Sequence, residues 1–315
     1  MQGIINTVLP VFGLIVLGIV FARARIVDEA TARGLTQFVF TLAIPALLFR
    51  TVVTMKPQEA APFGLWFVFF GGLAITWIAT ALLSLKVNSL SASGGAAASM
   101  AAGFGNLALL GTPLILSHYG EQAAIPLGLI LSVHAPILWF AALLHRELAR
   151  HSGSISFTKL ARELFLNLAT NGIVLALLSA AIWAKTGWGL HPVVDRMLVM
   201  LSEASVPTAL FALGLSLSTY SLRGQWNGMA ILITMKMLVM PVMVYLLARY
   251  IVSIPPIWAN IAVVLAAMPT GANAFLFARR NEESVAVVSA AIALGTGLAA
   301  ITISVLLYLM DAHLI

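Results

Sequence analysis

Two short stretches of this chain bring amides, hydroxyls, glycines and prolines together in a pattern suited to gripping an anion without changing its covalent bonds. The first is Gly103-Phe104-Gly105-Asn106, followed by Gly111-Thr112-Pro113, and the second is Met268-Pro269-Thr270-Gly271-Ala272-Asn273. Both lie inside apolar runs. Glycine removes side-chain restraint and proline removes a backbone donor, so each stretch is predisposed to unwind. An unwound turn bares N–H and C=O groups that lipid cannot satisfy, and it is tolerated only inside protein or beside a wet cavity. The half-helices that resume after such a turn offer free N–H groups and partial positive charge to an anion. Asn106 and Asn273 would add carboxamides, with Gly105, Thr112, Pro113, Pro269 and Thr270 shaping the turns around a substrate. The milder alternative is that these residues only permit close helix packing or a kink.

Three ionisable residues accompany them. Lys236 lies mid-run in Thr234-Met235-Lys236-Met237, ahead of Pro241. A lysine at that depth costs on the order of 3 kcal/mol, so it is expected to face the interior beside the interrupted helices. There it either attracts an anion and stands in for a coupling cation, or merely hydrogen-bonds opened carbonyls. Glu203, four residues before Pro207, is the acidic residue placed most clearly within a run. It is a candidate carrier of a coupling proton; the alternatives are an interfacial position or a pair with Arg196. His134, in Ser132-Val133-His134-Ala135-Pro136, could hold a carboxylate or relay a proton, or could be a satisfied interior donor. Arg50 is expected to snorkel to the headgroups, the alternative being an entry site for anions. Asn167, Thr170 and Asn171, at i, i+3 and i+4, are expected to share a helix face. Trp66, Trp188, Trp226 and Trp258 read as interfacial anchors.

The elements that must position these residues are membrane helices. The chain has 315 residues, 61% hydrophobic and 9% charged, with a mean hydropathy of +1.03. That much apolar surface requires lipid as its solvent. Cysteine is absent, which excludes disulfides and thiolate metal sites. The net charge of +6 is spread between apolar runs, a pattern of topology and not of nucleic-acid binding. Gly103-x-Gly105-x-x-Ala108 formally fits a dinucleotide fingerprint, but no strand precedes it. Neither a phosphate-binding Gly-x₄-Gly-Lys-Ser/Thr loop nor His-Glu-x-x-His nor Gly-x-Ser-x-Gly occurs, so no ATP-driven pump, enzyme, metal or cofactor is expected. No acidic pair sits in the interrupted runs, which turns the expected cargo from cation to anion.

Runs long enough to cross about 30 Å fall at 4–22, 34–53, 63–85, 94–117, 122–145, 164–185, 193–219, 227–251, 257–279 and 284–309. The first carries Arg23 and Arg25 after it and no basic residue before it, unlike a secretory signal. With both termini outside, eleven basic residues fall on the inner side and five on the outer, the asymmetry the positive-inside rule favours. The polar connection 146–163 divides the ten spans into a first repeat, 1–145, and a second, 164–315. An odd number of helices in each half makes the second copy inverted. Ile44-Pro45-Ala46-Leu47-Leu48-Phe49 and Val206-Pro207-Thr208-Ala209-Leu210-Phe211 share apolar-Pro-x-x-Leu-Phe at equivalent spans, and the two interrupted stretches fall in the fourth and ninth.

The ten-span layout, the central basic loop, Asn-x₄-Gly-x-Pro at Asn106, Gly111 and Pro113, and Pro-x₃-Asn at Pro269 and Asn273 resemble the auxin efflux carrier family over nearly the whole chain. The resemblance implies an all-α fold of the sodium/proton antiporter type, with crossed broken helices 4 and 9. It further implies a scaffold of helices 1, 2, 6 and 7 and a transport domain of helices 3–5 and 8–10. It implies a secondary transporter of a small organic anion, malonate or another dicarboxylate among them, in a bacterial inner membrane, with a proton, sodium or no coupling ion. A homodimer is expected by analogy with related scaffolds. A channel or a proton or cation exchanger on the same fold is the alternative. Where the family pattern has Asn-Pro in the sixth span, this chain has Asn171-Gly172.

Overall fold

Proline decides where several of the long helices change pitch. Three five-residue π-helical turns, Val39–Ala43, Leu107–Gly111 and Met235–Val239, each end one residue before an X-Pro pair: Ile44-Pro45, Thr112-Pro113 and Met240-Pro241. A proline cannot donate to the carbonyl four residues back and its ring crowds that carbonyl. Widening the preceding turn relieves the clash and moves the bond one residue along. The Ile44 N–H accordingly donates to the Val39 carbonyl, and the Met240 N–H to the Met235 carbonyl.

The computed structural model describes residues 2–54, 62–88, 90, 95–150, 162, 165, 166, 168–220, 226–312 and 314. Most of the expected linker 146–163, and Asn167, lie outside them. Among the described residues the protein is all-helical apart from one isolated bridge. In chain order the α-helices are α1 (Gln2–Arg23), α2 (Glu29–Phe38), α3 (Ile44–Thr54), α4 (Pro62–Ser84), α5 (Ala96–Gly103), α6 (Thr112–Tyr119), α7 (Ala124–Arg150) and α8 (Gly172–Lys185). They continue with α9 (Pro192–Leu217), α10 (Trp226–Thr234), α11 (Met240–Tyr250), α12 (Pro256–Ala266), α13 (Ala272–Asn281) and α14 (Val285–Asp311). Six helical stretches, 29–54, 62–84, 107–149, 192–217, 226–250 and 285–311, are long and apolar enough to cross a membrane. Shorter apolar helices occupy 7–23, 172–185 and 256–266. Phe63, Phe67, Ile78 and Leu82 leave one face of α4 exposed and apolar, as a lipid-facing helix requires.

The chain groups into two compact units. The first comprises Met1–Pro62, Ala108–Ser132 and Leu168–Thr219. Its α1 and α9 cross at backbone distance: a methyl added at Gly214 would collide with the Ile15 carbonyl and lie 2.9 Å from the Gly18 Cα. Phe21 and Phe211 pack edge-on beside this crossing, ring centroids 5.6 Å apart. Gly214→Val should cost about 1–3 kcal/mol through forced separation of the two helices. Melting of the purified protein in detergent would show this, whereas Gly13→Ala, with nothing within 4 Å, should not lower the melting temperature.

Arg50 in this unit does more than snorkel. Its Nε donates to Asp195 at 2.7 Å and a terminal nitrogen to Glu121 at 3.2 Å, tying α3 to the start of α9 and to the turn before α7. Asn171 departs from the expected shared helix face. It is the N-cap of α8, its Oδ1 accepting from the N–H groups of Ile173 at 2.9 Å and Val174 at 3.3 Å, while Thr170 lies in the preceding turn. Asp28 caps α2 in the same way, accepting from the Thr31 N–H at 2.9 Å and hydroxyl at 2.7 Å. Those bonds hold its carboxyl below the usual carboxylate range.

The second unit comprises Phe63–Leu107, Val133–Asn167 and Tyr220–Ile315. Its centre is α5, eight residues of alanine, serine, methionine and glycine that are all buried, and α12, buried from Ile261 to Ala266. Helix α4 meets α11 closely enough that a methyl on Gly72 would lie 2.9 Å from the Val244 nitrogen. Arg146 of α7 bonds Glu283 at 3.2 Å in the turn between α13 and α14, and the Trp77 indole N–H donates to His145 at 3.2 Å. Trp258, expected at the interface, is fully buried here; Trp188 and Trp226 are exposed.

Candidate functional site

The polar centre of the second unit is built from two interrupted helices that complete each other's backbone. Helix α5 ends at Gly103, and the π-turn that leads into α6 begins at Leu107; α12 ends at Ala266 and α13 begins at Ala272. Between them Gly105 and Thr270 form an antiparallel bridge. The Asn106 N–H donates to the Pro269 carbonyl and the Gly271 N–H to the Phe104 carbonyl, each at 2.8 Å. The Thr270 hydroxyl donates to the Ala101 carbonyl at 2.9 Å, satisfying an end carbonyl of α5. Each break therefore supplies partners that an apolar surrounding withholds from the other.

Space here is tightest at Gly271, where the nearest facing atoms are backbone, and less so at Gly105, where they are side-chain ends. A Cβ on Gly271 would sit 3.0 Å from the Gly105 carbonyl oxygen, and one on Gly105 would sit 3.2 Å from Lys236 Nζ. Lys236 lies in the π-turn Met235–Val239 and is fully buried. Its ammonium donates to the Ala266 carbonyl at 2.5 Å and to Met240 Sδ at 3.3 Å. Ala266 is the last residue of α12, where carbonyls lack intrahelical donors and the helix dipole is negative.

Two carboxamides flank the bridge. Asn106 follows Gly105 and is 8% exposed. Asn273 is the second residue of α13 and half-buried; its Oδ1 accepts from the Trp139 indole N–H at 3.4 Å. Residues this early in a helix keep N–H groups without intrahelical acceptors. His134 of α7 is buried, its ring centroid 4.6 Å from that of Phe104 and 6.0 Å from that of Phe69. It bonds the Gly103 carbonyl, and its Nε2 has no hydrogen-bond partner among the described residues.

Of the expected site residues, Gly105, Asn106, His134, Lys236, Pro269, Thr270 and Asn273 thus fall in one unit around or beside the paired breaks. Thr112 and Pro113 open α6 in the other unit. Glu203 lies exposed on α9, also in that unit. The Lys236–Ala266 bond is the contact with an opened carbonyl that the sequence offers as one of two readings of Lys236, whereas Trp139 and the Thr270–Ala101 bond were not anticipated, since no local spacing links residues that fold together from separate runs. Among the described residues no cluster of three or more His, Cys, Asp or Glu is placed to hold a metal.

The protein is a multi-pass, all-α membrane protein, and several of its buried polar residues, Asn106, His134, Lys236 and Thr270 among them, lie at or beside the paired helix breaks. The chain belongs to the auxin efflux carrier family of transporters: the family model described as "Membrane transport protein" matches residues 3–307. It is a transporter and not an enzyme. Among its relatives, a protein of Rhizobium meliloti (strain 1021) named "Putative malonate transporter" is 28% identical over 98% of this chain and 97% of its own length. "Auxin efflux carrier component 8" of Arabidopsis thaliana is 20% identical over 98% of this chain and 97% of its own.

Proposed function

We propose that the protein is a secondary transporter that carries a small organic anion, a dicarboxylate such as malonate, across a bacterial inner membrane by alternating access. The observation that carries this reading is the reciprocal pairing of the two helix breaks in front of Lys236, with Asn106 and Asn273 on either side. Carboxylate oxygens need donors and positive charge, and this assembly offers both, with no acid paired to Lys236 among the described residues. Asn106, Asn273 and the first N–H groups of α13 hold the anion, Lys236 supplies a fixed positive charge, and His134 offers one further nitrogen. Gly105, Pro269 and Thr270 shape the breaks; Thr112 and Pro113 restart the helix after the first. Ten spans in two inverted repeats, 1–145 and 164–315, place the breaks in equivalent helices 4 and 9, with both termini outside. The relative named as a malonate transporter supports the substrate class.

The test is a thermal-shift screen of detergent-purified protein against mono- and dicarboxylates and aromatic acids, followed by vesicle flux of any stabilising compound at varied pH and sodium. Saturable flux of a dicarboxylate is the expected result. Uncoupled currents carried by inorganic cations, or flux that requires Glu203 and not Lys236, would instead identify a channel or a proton or cation exchanger.

A further inference from the structure

The Asn273 carboxamide can present either of two chemically opposite ends. Its oxygen and NH₂ group have nearly the same shape, but one accepts hydrogen bonds and the other donates two. An NH₂ turned toward the substrate favours carboxylate oxygens; an oxygen turned there repels them. The partner that decides between the two orientations is Trp139. An indole N–H can only donate, so its bond at 3.4 Å engages the Asn273 oxygen and turns Nδ2 away from the ring. Nδ2 has no hydrogen-bond partner among the described residues.

The indole is itself held. Its ring packs edge-on against Phe277, centroids 5.6 Å apart, and Phe277 lies four residues after Asn273, on the same face of α13. Helix α13 therefore clamps Trp139 at one turn and is oriented by it at the previous one. We infer that Trp139 is a specificity-determining residue, which fixes the Asn273 amide as a donor and so selects carboxylates over their uncharged amide counterparts. This inference rests on the proposed anion site and deepens it.

The test compares uptake of malonate and of its monoamide, malonamate, by sealed vesicles carrying wild-type, Trp139→Phe or Asn273→Asp protein. Phenylalanine keeps the ring against Phe277 and removes only the donor. The Asn273 amide is then free to flip, and the preference for malonate over malonamate should fall about tenfold, the scale of one hydrogen bond. The loss should appear in KM with the maximal rate largely retained. In Asn273→Asp, Trp139 holds one oxygen and the other faces the substrate with negative charge, so the preference should move toward malonamate, whose amide can donate to it. An unchanged malonate-to-malonamate ratio in Trp139→Phe would overturn the role of Trp139, whatever Asn273→Asp does, while leaving the transport reading intact. Absence of saturable malonate uptake in wild-type vesicles would overturn the dicarboxylate reading and this inference with it.

Discussion

Lys236→Met is expected to leave the protein folded, with a melting temperature close to that of wild type, and to reduce anion flux at least about tenfold, a loss of roughly 1.4 kcal/mol or more in the stabilisation of the transported anion. Two opposing terms set the stability. Removing a buried ammonium removes a cost on the order of 3 kcal/mol. It also strands the Ala266 carbonyl, which loses its donor, at about 1–3 kcal/mol. These nearly cancel, and methionine fills much of the same volume. Flux has no such compensation, because neither interrupted stretch, 103–107 or 266–273, contains a lysine or arginine that could replace Lys236. Melting curves and vesicle uptake on the same preparation decide the matter. A variant that melts far lower yet transports normally would make Lys236 a structural prop for the end of α12.

Gly271→Val is expected to abolish transport while the helices of the second unit persist. A Cβ there would lie 3.0 Å from the Gly105 oxygen and 3.1 Å from its carbon, and both are backbone atoms that cannot swing aside. The bridge must open, breaking the Gly271–Phe104 and Asn106–Pro269 bonds. Each buried group left unpaired costs about 1–3 kcal/mol, and the carboxamides at 106 and 273 lose their spacing. Gly105→Ala should be milder, since the nearest atoms are the ends of the Leu107 and Lys236 side chains. Circular dichroism separates this outcome from global unfolding: retained helicity with lost flux is expected, and normal flux in Gly271→Val would show that the two breaks need not touch.

The apolar runs were legible because lipid leaves the backbone few options: a run of about twenty apolar residues must be helical to satisfy itself. Gly103-Phe104-Gly105-Asn106 and Met268-Pro269-Thr270-Gly271 announce the interruptions by the same logic, since both residue types weaken a helix locally. The π-turns were not read, although each precedes a proline, because a proline within a helix can be accommodated in several ways; Pro136 and Pro207 lie inside continuous α-helix. Asn171 misled because its spacing from Thr170 and Asn167 fits a helix face, while the side chain instead caps the helix that starts after it. Contacts between distant runs were out of reach. The depth of Lys236 pointed to an opened carbonyl without saying which, and the structure makes it that of Ala266, thirty residues on; nothing local in Trp139 points to Asn273, at a separation of 134. Glu203 drew notice as an acid in an apolar run, yet its exposure on α9 follows from which face that helix buries, a property its weak periodicity conceals.

In the proposed mechanism the paired breaks hold the transported anion. The most direct measurement is uptake of labelled malonate into sealed liposomes carrying wild-type protein, Asn106→Ala or Asn273→Ala, each checked for an unchanged elution profile and helicity. Saturable uptake by wild type and a loss of at least about tenfold in each variant, on the order of one strong hydrogen bond to a charged group, is the predicted result. Near-normal uptake by both folded variants would contradict it.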